Sequence, residues 1–325
     1  MKPLVSFCLK SYNGRRFLRE ALEGAFAQTY RPLEIVVSDD ASTDGSWEEI
    51  LDFLSGHPEP PGVEVRVNRN PANLGSVGNW DRLCEMARGE LLVKADGDDV
   101  SVPERTSRIV EAWIADGKRA TVVCHSGWLI GTRGQRLGKL RRVTCGWPLG
   151  AAMAFSRHVF ETFGRAADGR LVDDSVYARR ALLLGPELDI PDRLVRYRLG
   201  SGMTSGEWHV RACVTLCLRA DLAAIEAVRT ELEDLKARAD GAVAGYEDGK
   251  ARLDREWKWF KGKEALVTAK TFAERLAGNR AMGGWNVFSV FGFQRLAYLL
   301  PRAPGDALLF LYALARNLLR RSGLV

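Results

Sequence analysis

Residues 91–99 read Leu91-Leu92-Val93-Lys94-Ala95-Asp96-Gly97-Asp98-Asp99, an apolar run that ends in three carboxylates. The run has the make-up of a buried strand, and the acids stand at its exit. Carboxylates this close repel one another unless positive charge lies between them. Two readings fit. One is a solvated turn. The other is a seat for a divalent cation that brings a diphosphate, because Mg²⁺ and Mn²⁺ take hard oxygen ligands and fill the rest of their shell from phosphate and water.

The flanking sequence favours the second reading. Residues 4–9 form a short buried strand followed by a polar turn, and Phe17, Leu18, Leu22, Ala25 and Phe26 then recur at helical spacing. Residues 33–37 are a second strand, which ends in Ser38-Asp39-Asp40. Ser46 and Glu49 have the spacing of a capping box for the next helix. Residues 63–67 are a third strand, and Gly89 stops a helix that carries Trp80, Leu83 and Ala87. Strands alternating with helices predict a mostly parallel sheet covered on both faces. In such sheets ligands gather at the carboxyl ends of strands. Three of those ends are polar here: Ser11-Tyr12-Asn13, Asp39-Asp40, and Asp96 with Asp98 and Asp99.

Further along, the pattern predicts a helix from Pro103 through Trp113, a strand over 121–130 and a hairpin turn over 131–138. A basic irregular loop over 139–150 precedes helices at 156–163 and 174–184 and a strand at 194–199. From about residue 207 no strand pattern recurs, and Leu222, Ile225, Val228, Leu232 and Leu235 stripe an otherwise charged helix. The expectation is an α/β domain over 1–206 and a helical appendage over 207–325. The stripe suits either an intramolecular contact or a homodimer seam.

Composition narrows the partners without choosing one. The 325 residues are 46% hydrophobic and 27% charged, as in a globular protein, and the net charge of +6 suits nucleic acid, an anionic membrane or anionic small substrates. The six cysteines make no C-x-x-C pair and read as buried thiols. The first strand follows Met1 too closely for a signal peptide, and no apolar run reaches the ~20 residues that span a bilayer. The expected location is therefore cytoplasmic. The final third gathers aromatics, and its wholly apolar stretch 307–315 is followed by Arg316, Arg320 and Arg321. That segment reads either as an interfacial helix at the inner face of the cell membrane or as a helix packed on the first domain.

Five segments, taken in order, resemble family 2 glycosyltransferases of the GT-A fold. They are Val5-Ser6-Phe7-Cys8-Leu9-Lys10-Ser11-Tyr12-Asn13-Gly14, the stretch from Gln28 to Gly45 around Val37-Ser38-Asp39-Asp40, Asn73-Leu74-Gly75, Asp96-Gly97-Asp98-Asp99, and Val172-Asp173-Asp174. Val195-Arg196-Tyr197-Arg198 resembles the closing strand, so the likeness covers about the first two thirds of the chain. The resemblance implies an inverting transfer of a sugar from a nucleoside diphosphate donor of the UDP type to a glycan or lipid-linked acceptor hydroxyl, in surface glycan or glycoconjugate assembly. It implies that Ser11, Tyr12 and Asp40 hold the nucleotide, that Asp96 faces the ribose, and that Asp98 and Asp99 face a Mn²⁺ or Mg²⁺ ion. Asp174 is implied as general base.

The chemistry agrees with those roles. A leaving diphosphate builds negative charge that a cation offsets, and the attacking hydroxyl needs one carboxylate within reach of its proton. A helix cap remains the other reading of Asp173 and Asp174. Many relatives carry a histidine shortly after the tyrosine–arginine pair, where Gly200 stands here, so either the metal has fewer protein ligands or Arg198 and nearby basic residues help the leaving group instead. His209 and His125 read as ordinary surface and structural residues. Lys94 either reaches a phosphate or offsets the neighbouring acids.

Two rival classes stand beside this reading. A sugar nucleotidyltransferase would carry a glycine-rich basic loop after the first strand, which residues 10–16 do not resemble. A basic membrane- or nucleic-acid-binding module would not place acids at strand ends, so nucleic acid is not an expected partner.

Overall fold

Strands β1 (Val5–Ser11), β2 (Leu33–Asp39) and β4 (Leu91–Asp96) are buried along almost their whole length. Near-continuous apolar runs form such strands because helices cover both faces of a parallel sheet. The computed structural model describes residues 2–140, 149–166, 171–200, 210–239 and 245–268.

With β3 (Val63–Arg69), these strands make the parallel order β3-β2-β1-β4. Beyond β4 come β8 (Met153–Ser156), β6 (Val122–Ile130), β9 (Glu187–Arg198) and the two-residue β5 (Val100–Ser101), while β7 (Arg136–Lys139) pairs β6. β8 lies antiparallel to both β4 and β6, so the sheet is mixed but β6 still runs with the parallel set.

Register brings the polar strand ends together. Ser11 is opposite Asp39 on β2, and Lys10 is opposite Asp96 on β4. The peptide N–H groups of Asp40 and Gly97 donate to the carbonyls of Ser11 and Lys10, both at 2.9 Å. The expected convergence on one sheet edge is therefore present.

Helices α1 (Arg15–Phe26), α2 (Ser46–Gly56), α3 (Gly75–Met86), α4 (Arg105–Ala115), α5 (Arg157–Phe163) and α6 (Asp173–Leu184) cover the sheet. The core runs through Phe7, Leu9, Leu18, Leu22, Ile35, Val37, Phe53 and Val93. Two helix-end expectations fail. The α2 N-cap is Gly45 in the left-handed region, and Asp44, not a Ser46–Glu49 box, accepts the Ser46 N–H at 3.0 Å. α3 ends at Met86, and Gly89 is needed elsewhere: a Cβ there would meet the Ser6 backbone N at 2.5 Å.

Contacts divide the chain into one unit of Met1–Ser205 with Thr230–Tyr246 and another of Gly206–Arg229 with Glu247–Val325. Helix α7 (Val210–Arg238) contains the predicted stripe, in which Leu222, Ile225, Val228 and Leu232 are buried, and α8 (Tyr246–Thr268) follows it. Among the described residues no helix is long and apolar enough to cross a membrane. The 307–315 stretch with its arginines, most of the 139–150 loop, Ser201 and Gly202, and His209 lie outside the described residues.

Candidate active site

Two lysines organise the carboxyl edge. Lys94, on β4, points inward and is almost wholly buried, with Nζ 2.9 Å from Asp173 and 3.2 Å from Asp96. Lys10, at the end of β1, is 3.0 Å from Asp173, 3.3 Å from Asp96 and 2.7 Å from the Ser76 hydroxyl. Ser76, in the first turn of α3, also donates to Asp173 at 2.6 Å. One cluster thus ties the acidic turn after β4 to the start of α6.

Electrostatics separates the two acids of α6. Burial pushes the Asp173 carboxyl up, but the charges of Lys10 and Lys94 outweigh burial and hold it well below the usual range. Among the described residues Asp174 has no such partner at close range. Burial and the Asp173 charge push its carboxyl up to about 6, against weaker pulls from Lys94, Lys10 and the Gly150 N–H. Gly150, in a single 3-10 turn of Gly150–Ala152, donates that N–H to Asp174 Oδ2 at 3.1 Å. A carboxylate that titrates near 6 is ionised at neutral pH and still basic enough to take a proton from a hydroxyl. The start of a helix further favours its ionised form.

The nucleotide-side residues divide into surface and support. Tyr12 is 54% exposed, so its ring is open to stack on a base. Ser11 is buried, and its Oγ has no hydrogen-bond partner among the described residues. Asp40, expected at the nucleotide, makes its hydrogen bonds within the protein. It is buried, and it accepts from the N–H groups of Leu74 at 2.8 Å and Gly75 at 3.0 Å and from the Asn70 amide at 2.9 Å. Those bonds fix the Asn73-Leu74-Gly75 turn beside the strand ends.

The acidic turn divides likewise. Asp96 is partly open, and Lys10 and Lys94 overcome the effect of burial to keep its carboxyl low. Asp98 is half-buried. Asp99 keeps one oxygen, Oδ2, without a hydrogen-bond partner among the described residues. It is turned inward, accepts the Arg198 N–H at 2.7 Å, and is pushed well up by burial and by the Asp98 and Asp96 charges. Arg198 turns into the protein. Its buried guanidinium donates to the Asp98 carbonyl at 2.9 Å, the Gly131 carbonyl at 3.2 Å and Glu20 at 2.9 Å.

Beneath the turn, Arg105 is fully buried and donates to the Lys94 carbonyl at 2.7 Å, Ser101 at 2.9 Å and His125 Nε2 at 3.0 Å. His125, kept neutral by burial and by Arg105, is the structural histidine its strand position predicts. The sequence did not single out Arg105, Lys10 or Ser76. Their only local signal was a polar residue at the end of a strand or the start of a helix.

No group of three or more ligating side chains that suits a metal occurs among the described residues. Asp96 and Asp98 carry the hard oxygen donors that suit Mg²⁺ or Mn²⁺, ions that take one or two carboxylates and complete their shell from substrate phosphates and water.

Residues 6–171 match the family described as Glycosyl transferase family 2. A Bacillus subtilis (strain 168) protein named as the glycosyltransferase EpsE is 29% identical over 139 residues, which are 42% of this chain and 48% of that protein. The chain thus spans about half the length of EpsE, and less of several other curated relatives that it matches. The mannosyltransferase PcManGT from Pyrobaculum calidifontis, solved in complex with GDP-Man and Mn²⁺, superposes with a TM-score of 0.58 at 19% identity, covering 98% of this chain and 88% of that one. S. aureus TarS 1-349, solved with UDP-GlcNAc, gives a TM-score of 0.53 at 15% identity, covering 98% and 92%. The shared architecture is the expected GT-A fold.

Proposed function

The chain belongs to glycosyl transferase family 2, and from that premise we propose that it transfers a sugar, with inversion, from a nucleoside diphosphate donor to an acceptor hydroxyl. The observation that carries this reading is the place of Asp174 on α6, next to Asp173 of the Lys10–Lys94–Asp96–Asp173 cluster and under its charges. It sets one basic carboxylate a single side chain away from the cations that bind the donor-side acid.

In this reading the nucleotide lies over the carboxyl ends of β1 and β2, against the Tyr12 ring and the turn that Asp40 fixes. Asp96 faces the ribose. Asp98 would hold Mn²⁺ or Mg²⁺ with the donor, and the ion would offset the charge that builds on the departing diphosphate. Asp174 accepts the proton of the acceptor hydroxyl as that oxygen attacks the anomeric carbon from the face opposite the leaving group. The donor is set at the class of nucleoside diphosphate sugar, because the two superposed structures were solved with different nucleotides, GDP-Man in one and UDP-GlcNAc in the other.

A glycan or lipid-linked acceptor in surface glycan assembly belongs to this proposal. So does a place at the inner face of the cell membrane, which rests on the sequence of 307–321. The test is a donor screen that reads nucleoside diphosphate release from a panel of sugar nucleotides with Mn²⁺. One donor should stand out. Release from none of them, alongside nucleotidyl transfer from a nucleoside triphosphate, would favour the rival enzyme class.

A further inference from the structure

Beyond the donor site, the sheet carries a second cluster of cations with no acids to match. Trp128 of β6 lies opposite Lys139 of β7 on one side and Arg196 of β9 on the other. The Arg136 guanidinium carbon stands 3.2 Å from the indole centroid, and that of Arg193 stands 4.8 Å away. Arg136, Lys139, Arg193 and Arg196 are all exposed. Among the described residues none of the four is paired with a carboxylate, whereas Arg88, Arg108, Arg119, Arg157 and Arg165 of the same unit all are.

We propose that this cation-ringed tryptophan face seats a phosphate group carried by the acceptor. Stacking on an indole fixes a guanidinium through its face and leaves its in-plane N–H donors unused. Two guanidinia held this way present forks that match the paired oxygens of a phosphate. Four unpaired cations around one ring repel one another, and an anion relieves that repulsion, which neutral sugar hydroxyls cannot do. An edge strand protected against pairing would explain Lys139 alone. It does not explain arginines stacked on the ring.

The position of the face suits an acceptor. Arg196 is registered with Val100 of β5, directly after Asp99, and the Arg198 N–H two residues on is bound by Asp99. β9, which carries Arg193 and Arg196, therefore flanks the acidic turn. The assignment to the acceptor rests on the transferase reading above. The seat for an anion rests on the residues themselves.

The test uses the full chain, with inorganic polyphosphate as the probe, in EDTA so that no metal binds it at the donor site. Calorimetry compares the wild type with Arg136→Gln, Arg193→Gln, Arg196→Gln and their combination. Arg108→Gln and Arg119→Gln serve as controls for equal loss of charge. Affinity should fall about tenfold for each stacked arginine removed, stay within about twofold in the controls, and weaken as salt rises. Sugar-nucleotide affinity should not change.

Equal polyphosphate binding by the combined variant and the wild type would overturn the proposal. So would a parallel loss of donor affinity, which would assign the cations to the donor. Unchanged polyphosphate binding with lost association to phosphatidylcholine–phosphatidylglycerol vesicles would assign the face to membrane instead. A wild type that releases no nucleoside diphosphate would sink the transferase reading while leaving the polyphosphate result intact, so the two failures are distinct.

Discussion

Replacing Lys94 by Met should move the acid limb of activity upward in pH. Asp174 must be ionised to act, so kcat/KM should fall as pH drops through its folded value of about 6. Lys94 is one of the cations that pull that value down, and it is the buried partner of Asp173 at 2.9 Å. A cation lowers a carboxyl by about one unit at the weak end of the range, the end that suits the Lys94 pull, so its loss should move the limb up by about one unit. At about pH 6.5 the ionised fraction of Asp174 would then drop from about three-quarters to about one-quarter, an effect of roughly threefold beyond any loss at the plateau.

Asp173→Asn has the opposite sign. It removes the negative neighbour and leaves both lysines, so the limb should move below 6. The assay is a pH profile of nucleoside diphosphate release for the three proteins, with melting curves beside it. Lys94→Met should also cost about 3 kcal/mol of stability, the low end for breaking a buried ion pair, because Lys10 still pairs with Asp173. A lower plateau with the limb unmoved in both variants would refute the electrostatic role and leave Lys94 a purely structural residue.

Three further outcomes follow from the same geometry. Asp99→Asn should keep donor and metal affinity within about twofold, because an amide oxygen still accepts the Arg198 N–H, and a loss of about tenfold in calorimetry would restore Asp99 as a ligand. Asp98→Ala should instead abolish the gain in donor affinity that Mn²⁺ gives over EDTA, and an unchanged gain would remove Asp98 from the site. Gly150→Ala should lower the melting temperature by an overpacking cost of about 1–3 kcal/mol and reduce turnover, because a Cβ at that position overlaps the Lys94 ammonium beneath the turn that binds Asp174. Normal stability and turnover in Gly150→Ala would show that Lys94 has room to move.

The sheet was legible where burial is two-sided. Val5 to Leu9, Leu33 to Val37 and Leu91 to Ala95 are apolar because helices cover both their faces, and their polar ends mark the ligand edge. β8 was not legible because four residues carry too little periodicity next to a loop. The first half of β9 was hidden because Pro191 and Asp192 are residue types that disfavour a strand interior. The structure absorbs them where the β6–β9 register shifts between Cys124 and Gly127. Asp96, Asp98 and Asp174 were visible as acids at strand and helix ends. What the sequence concealed is which charges meet. Lys94 offsets acids as one of its two readings had it, yet nothing local shows that its nearest partner is Asp173 on a distant helix. Nor does anything local show that Asp99 accepts the Arg198 N–H.

The central claim is that Asp174 takes the acceptor proton at a site where a sugar nucleotide is bound by other residues. Its most direct test pairs two readings on Asp174→Asn: donor affinity by calorimetry, and nucleoside diphosphate release with the donor that the screen selects. The account predicts donor affinity within about twofold of the wild type and turnover lower by about a hundredfold or more, the usual effect of a removed general base. Near-normal turnover in Asp174→Asn would contradict it and return Asp174 to the role of a helix-start acid.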